Sequence, residues 1–93
     1  MIYLAIAAFV LLAIDWRQTI TIAKNPDKWH ETNPILGLHP SSKRVNVYFV
    51  ICFALVALGV YVLPELWVTV GLTVLIVVEV WAVVNNFRLG IGI

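Results

Sequence analysis

Charge is what this chain has least of. Only 12% of its 93 residues are Asp, Glu, Lys or Arg, about half the share in an average soluble domain. Hydrophobic residues make up 62%, and with a mean hydropathy of +0.99 water is not the main solvent. A formal charge of +1 leaves no basic surface for nucleic acid, and the four Trp do not alternate with Lys or Arg as a base-stacking groove requires. Cysteine is nearly missing. Cys52 stands alone in an apolar run, which excludes a disulfide framework and a thiolate zinc site and suits a small packing residue. Two catalytic signatures are missing as well. No Gly-x-Ser-x-Gly occurs, so there is no serine nucleophile elbow. His30-Glu31 is followed by Pro34 where the helical zinc-protease motif needs its second His. The length allows one domain.

What the chain does have is long apolar runs. Val45 to Leu63, and Leu66 to Val84 broken only by Thr69, Thr73 and Glu79, each approach the roughly 20 residues that a hydrocarbon core requires. The first run meets Asp15, Arg17 and Gln18 early, but continued to residue 24 it reaches roughly 35 Å at helical rise, enough to span. A cleaved signal peptide is the competing reading, disfavoured by the lack of a basic n-region and a small-x-small site. The fold class expected is all-α: an integral membrane three-helix bundle in a single domain 1–93, with spans at about 1–24, 44–63 and 65–87. The intervening loop, 25–43, holds Asn25-Pro26, Asn33-Pro34, Gly37 and His39-Pro40, which break helices and start turns. Trp29 and the Ile35-Leu36-Gly37-Leu38 run are apolar enough for it to lie on the membrane or re-enter it. Asn33 or Ser41 is expected to cap short helices. Pro64-Glu65 predicts a tight hairpin with spans two and three as antiparallel neighbours.

All six basic residues, Arg17, Lys24, Lys28, Lys43, Arg44 and Arg88, fall at one membrane face. By the positive-inside bias the loop and the C-terminus are expected in the cytoplasm and the N-terminus in the periplasm. The aromatics agree, with Trp16, Trp29 and Trp81 toward the basic side and Tyr3, Tyr61 and Trp67 toward the other.

Depth brings the polar residues together. Asp15 lies 14 residues after Met1 and Glu79 lies 14 residues after Glu65, so both carboxylates reach one level, roughly 21 Å from the outer surface. Asn46 and Asn86 sit at or below it. Asp15, Gln18, Thr19 and Ile22 form one helical stripe and Glu79, Ala82, Val83 and Asn86 another, while Arg17 and Arg88 point away and can snorkel to the head groups. A mid-span charge costs a few kcal/mol on insertion scales, which makes Asp15 and Glu79 functional candidates by default. With Glu31 and His39 from the loop they form the candidate catalytic or metal-ligating set. Thr19, Asn33, Asn46 and Asn86 are the candidate binding residues. Oxygen and imidazole ligands of this kind suit a divalent metal ion, and the same groups suit general acid–base work. The plainer alternatives are Thr hydroxyls bonded back to helix carbonyls and Asn side chains acting as interhelical glue.

The elements Asp15-Trp16-Arg17-Gln18-Thr19, Glu31-Thr32-Asn33-Pro34-Ile35-Leu36-Gly37-Leu38-His39-Pro40 and Val45-Asn46-Val47-Tyr48-Phe49 give the chain a resemblance. It resembles small uncharacterised inner-membrane proteins encoded by tailed phages and prophages of Gram-negative bacteria, with an Asp-x-x-Gln-Thr element before Glu-x-Asn-Pro-x-Leu-Gly-x-His-Pro. The resemblance implies a bacterial inner membrane and a viral origin, and it implies no activity. Some members are associated with lysis.

The function expected is therefore a small polytopic inner-membrane protein whose pocket at the cytoplasmic leaflet binds a cation or polar head group, with membrane-embedded hydrolysis as the chemistry such a pocket would support. The alternative is a holin-like lysis or pore-forming protein. Expected partners are the bilayer, a lipid head group or a host membrane protein. A homo-oligomer is the further arrangement open at this stage, because 93 residues are few for enclosing an active site.

Overall fold

The computed structural model describes residues 2–29, 35–37 and 39–92. Three helices run through them, α1 (Ile2–Lys24), α2 (Ser42–Val62) and α3 (Glu65–Arg88), and no strand occurs among the described residues. Each helix is long and apolar enough to cross a membrane. The chain is an all-α, multi-pass membrane protein, and its 44 Å long axis exceeds the roughly 30 Å of a hydrocarbon core.

Local chemistry sets the helix ends. α2 starts at Ser42, two residues before the predicted 44, because the Ser41 hydroxyl accepts the Arg44 N–H at 3.1 Å and satisfies one of the free donors of the first turn. Pro64 closes the link after α2, and its carbonyl accepts the Val68 N–H at 3.0 Å. Glu65 opens α3, where an acid suits the helix dipole. At the far end of α3, Gly90 takes a left-handed φ of +89°. Its N–H donates to Phe87 O and that of Ile91 to Asn86 O, each at 3.0 Å. This is a Schellman turn, and it folds Ile91 back into a buried position.

α1 is the central helix. It runs antiparallel to α2, with Phe9 stacked on Phe53 at 5.4 Å and Trp16 on Phe49 at 5.7 Å. It runs parallel to α3, since Ala8 packs with Val68 and Leu72 while Gln18 bonds Asn86 further along. Lipid tails are as apolar as Leu, so association within a bilayer depends on such packing and polar pairs rather than on apolar burial as such. The predicted hairpin sets the directions of α2 and α3, but the two touch each other far less than either touches α1. Aromatic stacking draws α2 onto α1 and polar pairing draws α3 onto α1, and the short link leaves both free to lean apart.

The loop folds back at its far end. Leu36 is buried in one core with Leu12, Val45 and Phe49, Gly37 takes φ +85°, and Arg44 donates to Ile35 O at 3.1 Å. At its near end the Trp29 indole N–H donates to Leu89 O at 3.0 Å. The loop is thereby fastened to the end of α3.

Candidate functional site

The α1–α3 interface carries a polar layer. Gln18 and Thr19 are almost fully enclosed, and Glu79 and Asn86 are buried at 8% exposure each. Two anchor points fix the register of the parallel pair: Ala8 beside Val68 and Leu72, and Gln18 beside Asn86. Interpolating between them sets Asp15 level with about residue 81 of α3, roughly 3 Å along the axis from Glu79 at 1.5 Å per residue.

The bonding of the layer is specific. Asn86 Nδ2 donates to Gln18 Oε1 at 3.0 Å. The other end of the Gln18 amide is different: among the described residues nothing accepts from its buried Nε2. An unmet buried donor costs about 1–3 kcal/mol. Thr19 Oγ1 donates to the Asp15 carbonyl at 2.7 Å and to Asp15 Oδ1 at 3.2 Å, so it both bonds back to its helix and ties down the carboxylate. Across the bundle, Cys52 hydrogen-bonds the Tyr48 side chain and lies within electrostatic reach of both Glu79 and Asp15.

Asn46 and His39 are placed elsewhere. Asn46 lies on an exposed part of α2 and accepts from the Trp16 indole N–H at 2.9 Å, so it acts in the α1–α2 seam. His39 is exposed at a bend before Pro40. Glu31 and Asn33 fall outside the described residues. No group of three or more His, Cys, Asp or Glu side chains that could hold a metal ion occurs among the described residues. Arg17 and Arg88 are exposed, as the stripe geometry predicts.

Gln18 is the residue that the sequence reading placed on the stripe but left out of the site. Its signal is position: it follows Asp15 by three residues, which puts both on one helix face. Thr21 and Thr73 bond back to the carbonyls of Arg17 and Thr69, as the plainer reading of helical threonines has it.

A strip that offers N–H donation from Gln18 and, one turn along the same helix face, carboxylate acceptance from Asp15, with Glu79 about two turns along α3 from Asn86, can hold a group that carries both an acceptor and a donor. Comparison with protein-family models, curated proteins and solved structures finds no match to this chain.

Proposed function

We propose that this chain is a small inner-membrane protein whose polar layer, in the cytoplasmic half of the bilayer, binds the polar head group of a membrane lipid. The observation that carries the reading is the buried Nε2 of Gln18, which has no acceptor among the described residues, in the same interface as buried Glu79 and Asn86. A bare cation suits the carboxylates but repels the amide N–H. A head group with phosphate or ester oxygens and a hydroxyl or ammonium donor suits both. The cytoplasmic assignment follows from the six Lys and Arg residues at one face. Hydrolysis of the bound lipid is the reaction class that the carboxylates would serve, with Asp15 and Glu79 as general acid and base. Groups in that role contribute roughly 10²–10⁴-fold.

The test is expression of wild type, Asp15→Asn and Glu79→Gln in a bacterial host, scoring membrane potential and lipid composition. The amide variants keep volume and remove charge and proton transfer. The expected result is an intact potential with an altered lipid pool in wild type, lost in both variants. An abrupt collapse of potential in wild type that persists in both variants would replace this reading with the holin-like one. A tightly held divalent ion in purified wild type, lost in both variants, would replace it with the metal one.

A further inference from the structure

Several of the strongest side-chain donors near the basic end are used inside the protein. Trp16 donates to Asn46 Oδ1 and Trp29 to Leu89 O, and Arg44 donates to Ile35 O. Trp81, Asn85 and Arg88 differ: among the described residues their side chains make no hydrogen bond or ion pair. The three stand together around a shallow surface pocket of about 260 Å³, with Val77, Val80 and Val84 as its apolar part.

All six residues form one stripe of α3, because their spacing follows the helical repeat. Arg88 comes nine residues after Glu79, half a turn out of phase at about 3.6 residues per turn. The stripe therefore lies opposite the buried Glu79, Val83 and Asn86 and faces the bilayer, with Trp81 62% exposed. Polarity is graded along it. The valines come first, and the indole, the amide and the guanidinium follow toward the basic end. Arg88 lies seven residues beyond Trp81, roughly 10 Å at helical rise. Indole rings settle at the head-group level and arginines snorkel to it.

Charge complementarity selects the ligand. Arg88 brings a fixed positive charge and a fork of donors that matches phosphate oxygens, and Asn85, less than one turn away, adds an amide N–H. No carboxylate lines the pocket. The end of α3 opposes an anion little, because the N–H groups of Leu89, Gly90 and Ile91 take up the carbonyls of Asn85, Asn86 and Phe87. A head group with its own ammonium would set that cation against Arg88. An anionic phosphodiester with a hydroxyl head group has no such conflict.

We propose that this outer face of α3 binds an anionic phospholipid of the adjoining leaflet, with its phosphate on Arg88 and Asn85 and one acyl chain along Val77, Val80 and Val84 beside Trp81. The site is on the far side of α3 from the Gln18–Asn86 pair and does not rest on the reading of that pair.

The test uses the full chain in phosphatidylcholine vesicles with a minor fraction of phosphatidylglycerol, the acyl chains of one lipid or the other being brominated. Bromine quenches indole emission at contact, and subtracting the emission of Trp81→Phe isolates the share of Trp81. Brominated phosphatidylglycerol should quench Trp81 several-fold more than its mole fraction accounts for. Arg88→Gln should abolish that excess, and Asn85→Leu should reduce it. Arg17→Gln removes the same charge at an exposed position of α1 near the same membrane face and should leave the excess in place. Circular dichroism checks the fold of each variant. Quenching in proportion to mole fraction in the wild type would overturn the site, as would an excess that survives Arg88→Gln. An excess lowered equally by Arg17→Gln and Arg88→Gln would also overturn it, since it would then report the net charge of the surface.

Discussion

Asn86 donates a hydrogen bond of 3.0 Å to Gln18 across 68 residues of chain, and the pair lies buried where α1 meets α3. Polar pairs within membranes couple helices by about 0.6–2 kcal/mol. A double-mutant cycle of Gln18→Leu and Asn86→Leu, measured by denaturant unfolding in detergent, should return a coupling in that range. Gln18→Leu also removes the unmet Nε2, so it should destabilise less than Asn86→Leu, which leaves the Gln18 amide buried with neither bond. Equal effects from the two single variants would contradict the assignment of that amide.

Trp29 holds the loop to α3 through its indole N–H on Leu89 O. Trp29→Phe keeps an aromatic ring and removes the donor. Trypsin should then cut at Lys24 and Lys28 several-fold faster, with hydrogen exchange in the helix interiors unchanged. An unchanged cutting rate would show that the bond does not hold the loop.

Gly90 stands at a φ of +89°, and a side chain in the left-handed region costs roughly 1–2 kcal/mol. Gly90→Ala should lower unfolding stability by about that amount. Gly71→Ala, at an open helical position, should be neutral or stabilising, because Ala exceeds Gly in helix propensity by about 1 kcal/mol.

Phe49 is fully buried and stacks on Trp16. Phe49→Ala removes a stack worth about 0.5–1.5 kcal/mol beyond area burial and should loosen α2 from α1. Loss of Trp16 protection from an aqueous quencher would report that separation.

Orientation is open to direct measurement. In a Cys52→Ala background, Lys28→Cys should react with an impermeant maleimide only after the cytoplasmic side is opened. Labelling from the periplasm would reverse the topology and move the polar layer to the outer leaflet.

The three spans were legible from residue order because a bilayer demands about 20 apolar residues per crossing and satisfies no backbone group from outside. Asp15 and Glu79 stood out for the same reason, since a charge inside a span is costly enough to need an explanation. Ser41 was legible as a cap. The partner of each polar residue was not legible, because helical periodicity assigns a face and a depth but not a neighbour. Asn46 and Asn86 read alike in the sequence, yet one bonds Trp16 in the exposed α1–α2 seam and the other bonds Gln18 within the α1–α3 interface.

By itself the sequence determined that this is a three-helix membrane protein with its polar residues gathered toward the basic end, because hydropathy, helical rise and the distribution of Lys and Arg are one-dimensional quantities. Only the tertiary structure decided that α1 is the helix on which the others pack, that Gln18 belongs to the polar layer, and that α2 and α3 lean apart. In a bilayer apolar faces are interchangeable, so the arrangement rests on which aromatic rings stack and which amides meet across helices distant in the chain.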